Sequence, residues 1–329
     1  MNSKNKHSPV IVRFSRHKNL LDFGFKKQSK KKYFKKYEND FKSDYTENEL
    51  IEFIEYTYSY AKITLNKYSS DYSKHTYTQQ ALFTIITLKI YLNMTYREIS
   101  DFVSFNGKLK RYLCIKNAPN YSTLQKFYKR MPTDMFERIT NQIINNLNIK
   151  PKIVALDGSG FTSDNADKYY SKIRDKERKN FTKCHIAIDV DTRLILYSQA
   201  VKGPKHDTKF AIASIRSLKK YNVDYIIADK AYDTNKIRTC INEEIKASDQ
   251  IPLKSNFRHG WYRRLSIQTF EKEIYSRRNN VESVFSVIKR KYSGVNKSKS
   301  TRLQNKETRF KTLVYNITQA IKISKRIST

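Results

Sequence analysis

The sequence predicts an α/β protein in which a mixed sheet is flanked by helices and preceded by an all-α region. Two short apolar runs, residues 153–156 and 225–228, each lead directly into an aspartate, Asp157 and Asp229. A period-two hairpin lies between these runs, and helical patterns alternate with a further strand after them. This order of elements predicts a sheet whose first strands are antiparallel and whose later strands are parallel.

The charge of the chain indicates a polyanionic partner. The 329 residues include 65 Lys and Arg against 31 Asp and Glu, a formal net charge of +34. Double-stranded DNA rewards such a surface, because phosphate neutralisation releases counterions. A membrane is not expected as a partner, since the most apolar helical pattern, residues 81–92, is too short to span and carries Lys89.

The cysteines and the N-terminus bear on localisation. Cys114, Cys184 and Cys240 are widely separated, with no C-x-x-C pair, and we expect buried thiols in a reducing cytoplasm. The N-terminus is basic but lacks the continuous apolar run of a signal peptide. These features favour a cytoplasmic protein.

Composition divides the chain into three parts. Residues 1–45 are predicted to form a basic flexible arm, which either lies on a phosphate backbone or only solubilises the protein. Residues 46–148 are predicted to form a helical DNA-binding domain, and residues 149–329 a catalytic domain that ends in a helix. The Asn-rich segment 145–151 marks the boundary between the helical domain and the catalytic domain.

The helical part contains short helices joined by tight connections. Helices are expected over residues 48–66, 78–93, 94–102, 121–130 and 133–147. Thr95 and Glu98 have the spacing of a capping box, and a Ser or Thr is expected to cap the helix that begins near Tyr121. The exposed side of this last helix carries Lys126, Lys129 and Arg130. A helix-turn-helix-like module that places it in the DNA major groove fits this pattern, and so does a small helical bundle with a basic surface.

The strand pattern begins after Pro151. Residues 183–190 alternate between polar and apolar, and residues 194–201 return as a hairpin partner. Helices are expected over residues 209–221 and from about Thr234, with a strand near residues 250–253. A basic loop with Arg258, Arg263 and Arg264 follows. This succession is that of ribonuclease H-like folds.

Residues 267–292 lack Gly and Pro and are predicted to form one long helix. Its apolar stripe consists of Val281, Val284, Phe285 and Ile288. Beside the stripe, an arc of roughly 60° carries a polar edge that consists of Tyr275, Arg278, Glu282 and Lys289. A carboxylate among cations and a phenol suits a metal ligand flanked by phosphate contacts, whereas a solvated face with salt bridges is the alternative.

Three carboxylates would suffice for phosphodiester chemistry. Two Mg²⁺ ions can activate an attacking oxygen and stabilise the leaving oxygen, and Mg²⁺ prefers hard oxygen ligands. Asp157 and Asp229 are predicted to lie at the ends of neighbouring strands, with Glu282 on a helix packed across them. We therefore expect a metal site at these three residues, in which Mn²⁺ can substitute for Mg²⁺.

The spacing of the polar edge resembles the Tyr-Arg-Glu-Lys motif of DDE-type insertion-sequence transposases. Two residues separate Tyr275 from Arg278, three separate Arg278 from Glu282, and six separate Glu282 from Lys289, as in that family. The segments around the other expected carboxylates and in the helical region are also similar to family blocks. These segments are residues 156–159, 183–185, 206–207, 228–233, 92–98 and 121–124. The resemblance covers roughly residues 78 to 320.

The resemblance implies a ribonuclease H-like catalytic domain and a DNA transposase. Asp157, Asp229 and Glu282 would hold two metal ions, and Tyr275, Arg278 and Lys289 would bind phosphates near the scissile bond. Such an enzyme binds terminal inverted repeats, cleaves at the element ends and joins the 3′-hydroxyl ends to target DNA. Coupling two ends implies a homodimer in a synaptic complex. The alternatives are a structure-directed nuclease of the same fold and a domesticated, non-catalytic DNA-binding protein.

Four further residues have two interpretations each. Trp261 either stacks on a flipped base or packs on the surface, and His185 either contacts substrate or is a hydrogen-bonded structural residue. Asp207 and Asp233 each precede a predicted helix, and we expect both to be N-caps rather than catalytic groups.

Overall fold

The computed structural model describes residues 48–163, 181–203, 205–255 and 259–328. The basic arm predicted at residues 1–45 and the predicted DNA contact Arg258 lie outside these residues.

Six helices precede the sheet in the described part of the chain. They are α1 Glu49–Thr64, α2 Gln79–Tyr91, α3 Tyr96–Phe105, α4 Gly107–Tyr112, α5 Tyr121–Arg130 and α6 Met135–Asn146. The capping box of α3 is confirmed, since Glu98 accepts from the Thr95 amide and Thr95 from the Glu98 amide. The expected Ser or Thr cap of α5 is wrong. Asn120 takes that role and accepts from both the amide and the hydroxyl of Ser122.

The sheet confirms the predicted mixed topology. Its strands are β1 Ile153–Ser163, β2 Phe181–Asp189, β3 Ile195–Lys202, β4 Tyr225–Ala228, β5 Ser248–Gln250 and β6 Val295–Asn296. The order is β3-β2-β1-β4-β5, with β6 paired to the far end of β1. β1, β2 and β3 are antiparallel, whereas β4 and β5 run parallel to β1. This is the ribonuclease H-like arrangement that the sequence predicts.

Strand β1 is longer than its apolar run. Asp157 was expected at the end of the strand, but β1 continues for six more residues to Ser163. The ladder with β2 extends past Asp157 because Gly160 pairs with Lys183 and Thr162 with Phe181. The predicted position of Asp157 at a strand end is therefore wrong, whereas Asp229 does follow the last residue of β4.

The predicted single helix over residues 267–292 is also wrong. It is divided into α9 Trp261–Thr269, α10 Lys272–Ser276 and α11 Asn279–Tyr292. The first break is made by Gln250, whose side chain donates to the Thr269 carbonyl at 2.9 Å and accepts from the Glu271 amide at 2.8 Å. The second break is a tight turn in which Arg278 donates to the Tyr275 carbonyl, three residues back.

The two faces of the sheet carry different helices. The front face, which includes Ala155 and Ile227, shares one hydrophobic core with α11, the N-terminal helices and the last helix, α12 Thr301–Ser328. Helix α12 buries one apolar face in that core, with the residues Phe310, Leu313, Val314, Ile317 and Ile321. The rear face, which includes Leu156 and Ala228, packs on α7 Thr208–Ser217 and on α8 Asn235–Thr239, which continues as a π-helical turn.

The structure bears on the predicted burial of the cysteines and on the length of the apolar helices. Cys184 and Cys240 are buried as expected, but Cys114 is exposed, so that part of the cysteine prediction is wrong. Among the described residues, no helix is long and apolar enough to cross a membrane.

Candidate functional site

Asp157 and Asp229 lie side by side on the front face of the sheet. Leu156 and Ala228 are partners in the parallel pair of β1 and β4, and both belong to the rear-face core. Because side chains alternate along a strand, the residues that follow them point to the front. Neighbouring strands are about 4.8 Å apart, so the two carboxylates project from adjacent positions.

The two aspartates are oriented in the same way. Oδ1 of Asp157 accepts from the Gly158 amide at 2.8 Å, and Oδ1 of Asp229 accepts from the Lys230 amide at 2.6 Å. Each bond uses one carboxylate oxygen and fixes the plane of the group. Neither bond uses the second oxygen, Oδ2, of its aspartate.

Helix α11 brings a third carboxylate and a cation to this place. At the start of α11, Arg278 Nη2 donates to Glu282 Oε1 at 2.6 Å, and Nη1 lies 4.0 Å from Asp157 Oδ2. The side chain of Asp157 is 23% exposed and that of Glu282 is 54% exposed. The guanidinium therefore lies between a half-buried carboxylate and a more exposed one.

The electrostatics of Asp157 favour a cation. Burial raises the pKa of Asp157, the Gly158 amide and Arg278 oppose this, and the carboxylates of Asp207 and Glu282 raise it further. Like charges gathered around a desolvated carboxylate are stabilised by a positive ion. In this structure Arg278 supplies that charge.

The donor set suits a hard divalent cation. The residues present are carboxylates, which are the ligands that Mg²⁺ prefers. Among the described residues no three His, Cys, Asp or Glu side chains converge closely enough to hold one ion. Glu282 is turned toward Arg278, so a site that uses all three carboxylates needs that side chain to rotate.

Of the other two residues of the predicted polar edge, Lys289 lies at the site and Tyr275 lies on a different helix. Lys289 Nζ donates to Ser159 Oγ at 2.7 Å, two residues beyond Asp157, and so lies beside the carboxylates. Tyr275 is on the separate helix α10, with its ring 5.3 Å from that of Phe270. The four residues therefore do not share one helix edge. Burial lowers the pKa of Arg278, but Glu282 and then Tyr275 oppose this, and the pKa is raised overall.

A polar cluster behind β1 was not found from the sequence. Asp207 does not cap α7, so that prediction is wrong; instead its Oδ2 accepts from Lys183 Nζ at 2.7 Å. Its Oδ1 lies so close to Gly158 that a Cβ atom there would be 2.3 Å away. The only local sign of this contact is the glycine itself, which admits close approach to the strand.

His185 belongs to the same rear cluster. Its side chain is 1% exposed, and its ring centroid is 5.7 Å from that of Tyr232. Neither ring nitrogen has a hydrogen-bond partner among the residues that the structure describes. Burial lowers the pKa of His185 to about 4, so the ring is neutral at pH 7. This position favours a structural role over direct contact with substrate.

A buried ion network orders the chain after Asp229. Asp233 was expected to cap a helix, but Thr234 does so, and Asp233 accepts from Arg238 Nε at 3.0 Å and from Arg263 Nε at 2.9 Å. Burial raises the pKa of Asp233, but the hydrogen bonds from the Lys254 amide and the two arginines lower it overall. Arg263, expected in a loop as a DNA contact, thus lies on α9 and is engaged with Asp233.

The other predicted DNA contacts are exposed. Trp261, 74% exposed, begins α9, and Arg264 also lies on the surface of α9. Lys126, Lys129 and Arg130 are on the exposed side of α5.

Comparison with known proteins identifies the part of the chain that contains this site. Residues 148–317 match the family model described as a transposase DDE domain. A putative transposase for insertion sequence element IS6501 from Brucella ovis is 30% identical over 109 residues, which is 33% of this chain and 76% of that protein. The solved Mos1 transposase paired-end complex with left transposon end aligns with 80% of this chain and 82% of that chain, at 12% identity and a TM-score of 0.22.

Proposed function

Because the chain belongs to the transposase DDE-domain family, we propose that it is the transposase of an insertion sequence and acts directly on the ends of that element. It binds the terminal inverted repeats, cleaves one phosphodiester at each end and joins the resulting 3′-hydroxyl to target DNA. In the cleavage step a water oxygen bonds to phosphorus while the bond from phosphorus to the 3′ oxygen breaks. In the joining step the 3′-hydroxyl replaces water and a target phosphodiester breaks in the same way.

The paired geometry of Asp157 and Asp229 carries the proposal. Two aspartates on neighbouring strands, each fixed through Oδ1, present their other oxygens on the face where Glu282 and Arg278 lie. Asp157, Asp229 and Glu282 would hold two Mg²⁺ ions, or Mn²⁺ in their place. When bound, the ions supply activation of the attacking oxygen and neutralisation of the charge on the leaving oxygen.

The basic side chains around the carboxylates position the DNA strand. Arg278 exchanges Glu282 for a phosphate oxygen when the strand enters, since a guanidinium binds phosphate in the same forked geometry as a carboxylate. That exchange also frees Glu282 to join the aspartates. Lys289, anchored at Ser159, places a point charge on the same phosphate path, and Tyr275, which interacts electrostatically with Arg278, binds phosphate from α10.

DNA outside the cleavage site is bound by the helical part of the chain. We assign residues 46–148 as the DNA-binding domain, with Lys126, Lys129 and Arg130 of α5 directed to the duplex. Arg264 and Trp261 contact the strand near the catalytic domain, residues 149–329. Two chains acting on two ends form a homodimer in the synaptic complex, at the nucleoid of a prokaryotic cytoplasm.

A joining assay tests this function against its alternatives. A labelled oligonucleotide that ends in the 3′-hydroxyl of the element is incubated with supercoiled plasmid, protein and Mg²⁺. A transposase joins the label to plasmid. Cleavage without joining indicates the nuclease, and binding with neither reaction indicates the non-catalytic DNA-binding protein.

A further inference from the structure

Four exposed cationic side chains lie near the connection between α11 and α12. Lys299 lies two residues before α12, Arg302 lies in its first turn, and Lys129 and Arg130 lie at the end of α5. Within the described part of the chain none of the four is paired with a carboxylate. We refer to Lys129, Arg130, Lys299 and Arg302 as the junction surface.

Helix α12 fixes the end of α5 in place. Lys306 is 1% exposed, and its Nζ donates to the carbonyls of Tyr128 at 2.9 Å, Lys129 at 3.1 Å and Met131 at 2.7 Å. The last carbonyls of a helix have no partner within the helix, so one ammonium group satisfies three of them. The Tyr128 hydroxyl adds a 3.3 Å bond to the Leu303 carbonyl. α5 is therefore attached to α12 rather than free to reorient.

The same stretch of α12 is tied to the strand that carries Asp157. Gln304 Nε2 donates to Ser163 Oγ, at the end of β1, at 2.8 Å. Lys311 Nζ donates to the carbonyls of Ser293 at 3.0 Å and Val295 at 2.7 Å, just after α11. The end of α5, the end of β1 and the end of α11 are consequently held by one helix.

These attachments fix the distance between the catalytic carboxylates and the end of α5. Ser163 lies six residues after Asp157 along β1, a distance of about 20 Å at 3.3 Å per residue. Stacked base pairs are about 3.4 Å apart, so this length equals about six base pairs. Lys289, beside Ser159, is a cation at the catalytic end of this path.

We propose that the junction surface binds the phosphates of duplex DNA between the catalytic carboxylates and α5. The rigid attachment through Lys306 and Gln304 then sets about six base pairs between the cleaved phosphodiester and the first base pairs that α5 contacts. The inference rests on the proposed function and deepens it, because it names how the enzyme measures its cleavage position.

The first experiment measures the binding role of the surface. The probe is a fluorescent duplex that carries one end of the insertion element encoding the protein, and anisotropy is followed over a range of salt concentrations. Lys299→Gln with Arg302→Gln removes two phosphate contacts, so the slope of log affinity against log salt should fall by about 2, and affinity at 0.1 M salt on the order of tenfold or more. The matched control, Lys219→Gln with Lys246→Gln, removes the same charge from exposed sites beside the rear-face core and should leave the slope unchanged.

The second experiment measures the spacing. Base pairs are inserted between the cleavage position and the segment that the protein protects from hydroxyl radicals. A fixed distance predicts that the cut moves into the inserted DNA and stays at a constant separation from the protected segment. About five inserted base pairs, half a helical turn, should leave both the position of the protected segment and its separation from the new cut unchanged.

The outcomes separate this inference from the proposed function. Equal salt slopes for the junction and control variants, or a cut that stays at the original phosphodiester despite the insertion, would overturn the inference. If the wild-type protein neither binds nor cleaves the element end, the proposed function fails and the inference fails with it. Lys306→Met, which leaves three carbonyls without a donor, should broaden the distribution of cut positions, whereas Lys306→Arg should keep it narrow.

Discussion

Arg278 is a cation placed where the proposed metal ions would bind. Its guanidinium is 2.6 Å from Glu282 and 4.0 Å from Asp157, and its single positive charge partly offsets the charges of the two carboxylates. Replacing it with Met removes this charge while keeping a chain of similar length. We expect Arg278→Met to bind divalent metal more tightly than the wild type when DNA is absent, and to cleave DNA more slowly.

The size of the effect follows from the geometry. A metal ligated by Asp157 would lie roughly 5 Å from the Arg278 guanidinium, since metal–oxygen bonds are about 2 Å long. A doubly charged ion and a single charge at that distance repel by about 1.7 kcal/mol in water. We use the water value because Glu282 is half exposed and the site is open to solvent. The dissociation constant for Mn²⁺ should fall about 15-fold.

The measurement is the loss of the free Mn²⁺ signal in electron paramagnetic resonance as protein is added. Arg277→Met is the matched control, because Arg277 is the neighbouring residue and pairs with Asp191 instead. Arg277→Met removes the same positive charge, but from a residue that does not contact Asp157 or Glu282. Unchanged or weaker Mn²⁺ binding by Arg278→Met would refute the assignment of Arg278 to the metal-binding position.

Three further predictions concern residues around the site. Arg238→Met leaves the buried Asp249 without its cation and Asp233 with Arg263 alone, and it should lower the free energy of unfolding by about 3–5 kcal/mol in urea. Arg216→Met, which breaks an exposed pair, is the control and should lower it far less. Gly158→Ala puts a Cβ 2.3 Å from a carboxylate oxygen behind β1 and should reduce cleavage and cost about 1–3 kcal/mol; Gly107→Ala, with nothing within 4 Å, is the control and should cost nothing. His185 has a folded pKa of about 4 against about 6.5 when unfolded, so the unfolded state binds more protons between these values. The free energy of unfolding should therefore decline by about 1.4 kcal/mol per unit as pH falls through this range, and His185→Gln should remove that slope.

Local patterns were sufficient to predict most strands of the sheet, although β6 was not predicted and β5 lies at Ser248–Gln250 rather than at residues 250–253. The period-two segment became β2, and the apolar run before Asp229 became β4. The extension of β1 through Gly158 and Gly160 was not predictable, because glycines are poor strand formers and only the pairing with β2 keeps them extended. The break between α9 and α10 was missed for a similar reason, since it depends on Gln250, a residue distant in sequence.

The contacts of the site divide in the same way, into those between residues close in sequence and those between residues far apart in sequence. The pair Arg278 and Glu282 is visible as an i, i+4 spacing, and both aspartates follow apolar runs. The pairs Lys183–Asp207 and Arg263–Asp233 join residues 24 and 30 positions apart, and nothing in their immediate surroundings indicates them. Sequence patterns therefore located the carboxylates, whereas the ion pairs that set their surroundings required the folded structure.

The most direct test of the central claim measures Mg²⁺-dependent cleavage of an element end by Asp157→Asn, Asp229→Asn and Glu282→Gln. Each substitution keeps the size of the side chain and removes one negative charge from the proposed metal site. DNA affinity, measured on the same preparations by anisotropy, should be retained. The account predicts that each variant binds the element end but does not cleave it; full cleavage by any one of the three would contradict it.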